Sequence, residues 1–346
     1  MSFKDLSLNI TEEEYRTLPF LSYSKISKYL KVGFNGLSKI DEIDKSPELT
    51  FGSLVDCQLL TPQEFNNRFL VYDFPKLSDA MTKIVDSMVD DAKENNIKKI
   101  DDEFILKWLN MNLYQTNWKD ETRINKFKEI ALDIVVRKIG ENREIVNTET
   151  YSQALACCAK LESIKDEDSG KYYFTEDPFL DSGLNVEVYS QLKFKARLKK
   201  REYKCMIDRI IVDNTHKTIK IVDLKTTGFK EWDFYKAFIK YNYQLQARLY
   251  YRIIKAVIWN TEYADYKILP VEFVVINKES LIPLVWKCDF SMAGGELIFG
   301  KDEPVKFPDP EEVADELTYY LEEKPKTPIG INENGVNNLR MFLNLL

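Results

Sequence analysis

Histidine and paired cysteines are almost absent from this chain of 346 residues. Its one histidine, His216, excludes metal sites that need two, such as an H-E-x-x-H zinc centre. The five cysteines are odd in number and form no C-x-x-C pair, which argues against a zinc ribbon, an iron–sulfur cluster or a disulfide framework, so we expect buried thiols. Any metal must be held mainly by carboxylates, which select hard ions such as Mg²⁺ or Mn²⁺.

Long apolar runs are missing too. No stretch approaches the roughly 20 apolar residues that cross a bilayer, so we expect no membrane partner. Residues 1–20 lack a basic start, an apolar run and a small-residue cleavage site, and we therefore expect a cytoplasmic protein. With 44% hydrophobic and 30% charged residues, 12 glycines and 12 prolines, the composition is that of a compact globular chain without long linkers.

Periodicity predicts an α+β fold. Apolar residues recur at helical spacing in three early segments, and the period changes to two after Tyr172. The predicted helices are 22–31, 51–60, several within 77–165, 231–257 and 309–322; the predicted strands are 186–197, 204–212, 218–224 and 269–277. We expect one domain over 1–300 with a helical insertion at about 77–165, followed by a C-terminal arm at 301–346.

The most informative segment is a predicted hairpin at 205–228, in which two β-rich runs flank the turn 213–216. If the turn is centred between Thr215 and His216, Asp208 lies directly opposite Asp223. Like charges opposite each other are unfavourable among apolar neighbours, so a positive group should lie between them. Lys225 projects to the same face as Asp223, because side chains alternate along a strand.

Two carboxylates and an ammonium that converge suit metal-assisted hydrolysis of a phosphodiester. The alternative is an ordinary ion pair on a surface hairpin.

Upstream, Glu187 is either a third ligand or a residue on the solvent face of an edge strand. Lys193, Lys195 and Arg197 follow on the same alternation and predict a basic stripe for a phosphate backbone, unless they are only a solvated hairpin surface.

These residues occur in an order that resembles the PD-(D/E)xK nuclease superfamily, and within it the RecB-like branch and the RecE-type phage recombination exonucleases. The resemblance is carried by Asp208, by D-L-K at 223–225, by Gln246 and Tyr250 at helical spacing, and by a preceding G-S-L-V helix. The segments S-Y-S-K-I at 22–26 and the aromatic-rich run at 232–243 resemble that group as well.

The resemblance implies a fold and a role for each matching residue. The fold is a mixed sheet flanked by helices, a three-layer core with a helical insertion. The implied metal ligands are Asp208, Asp223, the Leu224 carbonyl and Asp56, which stands where the family usually has a histidine. The implied catalytic set is Asp208, Asp223, Lys225, Glu187, Gln246 and Tyr250. The implied DNA-binding residues are Ser22, Ser24, Lys193, Lys195, Arg197, Thr226 and Thr227.

The implied function is a Mg²⁺-dependent deoxyribonuclease, with Mn²⁺ as a substitute, that degrades double-stranded DNA from its ends during phage recombination in the host cytoplasm. An endonuclease of the same fold and a catalytically silent DNA-binding protein remain alternatives, the latter because of Asp56. By resemblance, a single-strand annealing protein and a ring-shaped homo-oligomer are implied. The net charge of −7 counts weakly against DNA binding, although a local basic channel is compatible with it.

Overall fold

The computed structural model describes residues 2–41, 46–168, 170–175, 185–292, 295–300, 305–325 and 327–328. The chain divides into two compact units. Unit 1 contains Met1–Thr61 and Ala156–Leu346, and unit 2 contains Pro62–Leu155. The inserted unit therefore begins and ends earlier than the insertion expected at about 77–165.

Twelve α-helices are described. In chain order, they are α1 (Glu12–Thr17), α2 (Tyr23–Val32), α3 (Pro47–Leu60), α4 (Phe65–Arg68), α5 (Asp79–Glu94), α6 (Asp102–Met111), α7 (Asp120–Ile130), α8 (Leu132–Gly140), α9 (Thr148–Leu161), α10 (Phe234–Lys240), α11 (Tyr243–Ile258) and α12 (Pro310–Glu323). Short 3₁₀ helices lie at Phe3–Leu6, Phe34–Lys39, Pro62–Glu64 and Glu231–Asp233.

Ten strands are described. They are β1 (Phe69–Val71), β2 (Glu144–Val146), β3 (Val186–Leu198), β4 (Arg201–Asp213), β5 (Thr218–Thr227), β6 (Lys267–Ile268), β7 (Glu272–Asn277), β8 (Leu284–Lys287), β9 (Leu297–Phe299) and β10 (Val305–Phe307).

Unit 1 is built on a mixed six-stranded sheet with the order β3-β4-β5-β7-β8, in which β6 also pairs with β5. The neighbours β3, β4 and β5 are antiparallel, β5 and β7 are parallel, and β7 and β8 are antiparallel. Helix α11 packs on one face, where its apolar side joins a core that includes Ile219, Ile221 and Phe273. The predicted α+β fold, with a mixed sheet flanked by helices and a helical insertion, is confirmed.

The hairpin register is also confirmed. Strands β4 and β5 pair from Asp213↔Thr218 to Arg209↔Val222, so the turn is centred between Thr215 and His216. Asp208 and Asp223 come next on the two strands.

The predicted helix at 231–257 is two helices. Asn242 has a left-handed backbone (φ +55°), a conformation that Asn tolerates better than most residues, and it ends α10 before α11 begins.

The segment expected to be a C-terminal arm includes helix α12, which belongs to the core of unit 1. Asp309 is its N-cap, and Val313, Ala314, Leu317 and Tyr320 are buried in the same core as α11. Asp309 also forms ion pairs with Arg248 and Arg252 of α11 at 3.1 and 2.7 Å. The apolar residues at 3.6-residue spacing in α12 are thus buried against the core of unit 1 rather than exposed to solvent.

Unit 2 has its own helical core, formed by buried residues of α5 to α8 such as Ile84, Met88, Leu109 and Phe127. Its only described strands, β1 and β2, pair in parallel. All five cysteines are buried and free, as expected. Among the described residues, no helix combines the length and the apolar character needed to span a bilayer.

Candidate active site

The two carboxylates of the hairpin lie at the point where β4 and β5 stop pairing. Asp223 is 2% exposed, whereas Asp208 is partly exposed. The backbone N–H of Leu224 donates to Asp208 Oδ2 at 2.9 Å, so the two strands remain joined here through a side chain. The carboxylate of Asp208 is thereby held against the backbone next to Asp223.

Lys225 supplies the positive charge that the sequence predicts. Its ammonium forms an ion pair with Asp223 Oδ2 and lies 4.9 Å from the ring centre of Tyr243. The lysine side chain is 17% exposed. Two carboxylates and one ammonium therefore lie at one edge of a largely buried site.

Helix α11 covers this site with the predicted glutamine–tyrosine pair. Gln246 Nε2 donates to Asp223 Oδ1 at 2.5 Å and to the Tyr250 hydroxyl at 3.1 Å. Gln246 and Tyr250 lie one turn apart on the helix face that is buried against the sheet, which explains why their i, i+4 spacing matters. Gln246 thus contacts one carboxylate oxygen of Asp223, and Lys225 contacts the other.

Gln191 is a site residue that the sequence did not identify as one. It has a left-handed backbone (φ +52°) and interrupts the β3–β4 ladder between Ser190↔Arg209 and Leu192↔Ile207. Its Nε2 donates to Asp208 Oδ1 at 3.0 Å. A non-glycine residue with positive φ is uncommon, and such residues cluster at functional sites. The composition of the strand gives no signal of this conformation.

Burial and mutual repulsion dominate the electrostatics of the pair. Burial first, and then the Asp223 charge, raise the pKa of Asp208 to about 7. Burial also raises the pKa of Asp223, although Lys225 and Gln246 oppose it. The pKa of Lys225 is raised despite its burial because the Asp223 carboxylate stabilises the ammonium. The lysine therefore stays charged at neutral pH, and Asp208 readily takes up a proton.

The donor atoms fit a hard divalent cation. Asp208 and Asp223 offer carboxylate oxygens, the ligands that Mg²⁺ and Mn²⁺ prefer. Gln246 Oε1 is buried and has no hydrogen-bond partner in the part of the chain that the structure describes. A buried polar atom of this kind costs free energy unless something else satisfies it. A cation would also remove the repulsion that raises the pKa of Asp208.

Asp56 is not brought to this pair. In the described residues, the oxygens of Asp56, Asp208 and Asp223 do not all lie within 4.8 Å of one another. A Cβ built on Gly52, one turn before Asp56 on α3, would lie 3.1 Å from Thr226 Oγ1. Thr226 faces away from Lys225, because neighbouring side chains on a strand point to opposite faces. Helix α3 thus meets the other face of β5, and a shared metal with Asp56 is not what the structure arranges.

Glu187 lies at the other end of the sheet from the site. It pairs with Val212 on β4, four residues beyond the position opposite Asp208, which is about 13 Å along a strand. Its carboxylate accepts hydrogen bonds from the Tyr189 hydroxyl and, at 2.8 Å, from Asn214 Nδ2. The structure therefore does not place this predicted catalytic residue with the carboxylate pair.

The predicted basic stripe lies on the face of β3 opposite the carboxylate pair. Lys193 is half-buried, and Lys195 and Arg197 are exposed, whereas the alternating Leu192 and Phe194 are buried in the core. The three cations therefore share the face of β3 that points away from α11, whereas Asp223 points toward Gln246 of α11. Their role in DNA binding stays a prediction, because the carboxylate pair faces the other side of the sheet.

The first turn of α2 lies next to the site. The Tyr23 hydroxyl donates to the Tyr241 carbonyl at 2.8 Å, and its ring lies 6.3 Å from that of Tyr243. Ser22 caps the helix, and its hydroxyl is 3.0 Å from that of Ser24. Thr227, on the face of Lys225, accepts from the Phe229 N–H at 3.0 Å. The DNA-binding roles of Ser22, Ser24, Thr226 and Thr227 stay predictions.

A second acidic cluster lies on the opposite face of the sheet. The carboxylates of Asp166, Asp168 and Glu272 have ligand atoms within 4.8 Å of one another, a spacing that a metal ion can bridge. The Lys220 ammonium already pairs with all three, at 2.7 Å from Asp168 and 3.3 Å from Glu272. Lys220 lies three residues before Asp223 and so faces away from it. Lys220 offsets one of the three negative charges, and Lys287, at 3.9 Å from Asp168 and 3.6 Å from Glu272, offsets a second.

Neither the protein-family models nor the curated proteins give a match to this chain. Among solved structures, a proposed exonuclease from Eubacterium rectale is 15% identical. The match covers 91% of this chain and 85% of the exonuclease chain, with a TM-score of 0.38. The structure of SSO0001 is 9% identical, and the match covers 71% of this chain and 88% of SSO0001, with a TM-score of 0.23. The structure of VC1899 from Vibrio cholerae is 13% identical, and the match covers 69% of this chain and 55% of VC1899, with a TM-score of 0.20. Similarities this low carry no inference about the activity.

Proposed function

We propose that the chain is a metal-dependent deoxyribonuclease that hydrolyses phosphodiester bonds at Asp208, Asp223 and Lys225. The observation that supports this most is the convergence of two carboxylates and an ammonium on one buried edge of the hairpin. Such a group has no structural need for two acids, because one carboxylate would neutralise the lysine. The second acid therefore points to a cation that is bound with the first.

In this proposal, Asp208 and Asp223 hold a Mg²⁺ or Mn²⁺ ion, with the Leu224 carbonyl as a further candidate ligand. When bound, the ion would activate water and neutralise charge on the phosphate oxygens. Gln246 fixes the orientation of Asp223 through its 2.5 Å hydrogen bond, and Gln191 does the same for Asp208. Lys225, which stays protonated, stabilises negative charge as it develops on the phosphate.

We propose double-stranded DNA ends as the substrate and a processive exonuclease of phage recombination as the biological form. In this proposal, a duplex that passes around the edge strand β3 contacts the basic stripe of Lys193, Lys195 and Arg197, which lies on the face of the sheet opposite the carboxylate pair. A ring-shaped homo-oligomer and a single-strand annealing partner are part of the same proposal. An endonuclease of the same fold is the second candidate.

The test is digestion of linear duplex DNA and of a covalently closed circle, each with Mg²⁺ and with EDTA. We expect linear DNA to be degraded only with Mg²⁺ and the circle to resist. Asp208→Asn and Asp223→Asn should each abolish activity, whereas Asp168→Asn, in the cluster on the other face, should not. Cleavage of the circle would favour the endonuclease, and full activity of the Asp223→Asn variant would refute the proposed site.

A further inference from the structure

The segment from Lys230 to Tyr241 exposes aromatic rings beside the site instead of burying them. Trp232, Tyr235 and Tyr241 are 51%, 49% and 42% exposed. Each ring has an ammonium within cation–π distance: Lys230 at 5.2 Å from Trp232, Lys236 at 5.6 Å from Tyr235, and Lys240 at 5.1 Å from Tyr241. We call these six residues the aromatic–lysine face.

The spacing of these residues separates them into two tracks along the helix. Trp232 lies in the 3₁₀ helix Glu231–Asp233, and Tyr235 and Ile239 lie in α10, which follows it directly; their i, i+3, i+7 spacing is that of an apolar helix face that is normally covered. Lys236, which also pairs with Asp233 at 3.1 Å, and Lys240 are spaced i, i+4 and form a parallel basic track. An apolar track bordered by a basic one matches a single nucleic-acid strand, which has bases on one side and phosphates on the other.

The helix that carries this face is firmly held from behind. Phe234 and Phe238 are directed inward, with ring centres 5.7 and 5.9 Å from that of Phe273. The buried Glu231 accepts a hydrogen bond from the Ser280 hydroxyl at 2.7 Å. The exposed rings are thus presented on a rigid element, which lowers the entropy that a bound strand would cost.

The aromatic–lysine face continues into the proposed active site. The ring of Tyr241 is 5.7 Å from that of Tyr243, and the Lys225 ammonium is 4.9 Å from the Tyr243 ring. The Tyr241 carbonyl is fixed by hydrogen bonds from Tyr23 and Ser27 at 2.8 and 3.1 Å. A strand that stacks on the face therefore runs toward the Lys225 ammonium.

We propose that the aromatic–lysine face binds single-stranded nucleic acid next to the scissile phosphate, by stacking bases on Trp232, Tyr235 and Tyr241 while the lysines contact phosphates. This inference rests on the proposed nuclease function and adds to it the strand that is held beside the site. The chain is acidic as a whole, with a net charge of −7, so a local lysine-rich face selects a polyanion against the general repulsion.

The test is fluorescence anisotropy of a labelled 20-nucleotide oligo(dT), measured in EDTA so that no cleavage occurs. The double variant Trp232→Ala/Tyr235→Ala should bind about 10-fold or more weakly, since the loss of one stacked base costs roughly 5- to 150-fold and the variant removes two rings. Trp232→Phe/Tyr235→Phe keeps the rings and should bind nearly normally. Trp118→Ala, an exposed tryptophan of unit 2, is the matched control and should change nothing.

A salt series tests the lysine track separately. Lys236→Gln/Lys240→Gln should flatten the dependence of log K on log salt by roughly 1.4, at about 0.7 for each lost phosphate contact with a single strand. Lys98→Gln/Lys99→Gln removes the same charge from unit 2 and should leave the slope unchanged. Thermal unfolding of every variant checks that the fold is kept. If the aromatic pair cannot be purified folded, the lysine pair decides.

The inference is overturned if the wild type does not bind the oligonucleotide, if the alanine pair binds it as the wild type does, or if both lysine pairs change the slope equally. Concentration-dependent self-association that is lost in the alanine pair, with no oligonucleotide binding, would assign the face to a second copy instead. Because binding is measured without metal, the inference can stand if cleavage proves absent, and it can fail while the nuclease proposal holds.

Discussion

Asp208→Asn should stabilise the metal-free protein, and the gain should depend on pH. Burial and the Asp223 charge raise the pKa of Asp208 to about 7, from the 3.8 of an ordinary aspartate. Between these values, the native state keeps a proton that the unfolded state has lost, so wild-type stability falls as pH rises from about 4 to about 7 and then levels off. Asparagine does not titrate, and the variant therefore escapes this loss.

The size of the effect follows from the shift. One pKa unit corresponds to about 1.4 kcal/mol, so the full shift sets a ceiling of roughly 4 kcal/mol above pH 7. The side chain of Asp208 is partly exposed, and solvent screening lowers this figure. Asparagine can still accept from the Leu224 N–H, and it can donate to Gln191 if that amide turns over. We expect a gain of roughly 1–3 kcal/mol at pH 8 and less than half of it at pH 5.

The measurement is urea unfolding in EDTA at pH 5 and pH 8, with Asp223→Asn as the contrasting variant. Asp223 is paired with Lys225, so its neutralisation leaves a largely buried ammonium without its partner and should destabilise the protein. Opposite signs for the two variants at pH 8 are the signature of this site. The reasoning is refuted if Asp208→Asn is no more stable than the wild type at pH 8, or if its gain does not shrink at pH 5.

Three further outcomes are expected. Lys225→Ala should cleave on the order of 100-fold more slowly, because the ammonium acts on charge that develops in the transition state. Duplex binding in EDTA should be nearly unchanged. Single-turnover rates and binding constants measure the two effects. Asp56→Ala should match the wild type across a Mg²⁺ titration of activity, since the structure does not bring this carboxylate to the pair, and a defect confined to low Mg²⁺ would contradict that. Replacing Lys193, Lys195 and Arg197 together by Ala should flatten the salt dependence of duplex binding by roughly 0.9 per lost phosphate contact, and an unchanged slope would move the DNA path elsewhere.

The hairpin was predictable from sequence because its information is local. The turn residues at 213–216 set the register, and strict alternation then places Asp208, Asp223 and Lys225 relative to one another. The helix spacing of Gln246 and Tyr250 likewise predicted that both face the same way, and the structure places Gln246 on Asp223.

The rest depends on conformations and distances that alternation does not encode. Gln191 reaches Asp208 because its backbone is left-handed, a state that nothing in the strand sequence announces. Glu187 keeps the alternation of β3 but lies about 13 Å along the strand, at the turn end of the sheet. Asp56 follows the expected glycine by one turn, yet its helix packs on the other face of β5. Spacing along one element cannot reveal which face of another element it meets.

The central claim is that Asp208 and Asp223 together bind a divalent ion, and Mn²⁺ binding followed by electron paramagnetic resonance tests it most directly. The wild type should deplete the signal of free Mn²⁺ with a saturable site, and Asp208→Asn and Asp223→Asn should each lose it. Asp168→Asn, in the cluster where Lys220 and Lys287 offset most of the negative charge, should keep it. Binding that survives in Asp223→Asn but is lost in Asp168→Asn would contradict the claim and assign the ion to the opposite face of the sheet.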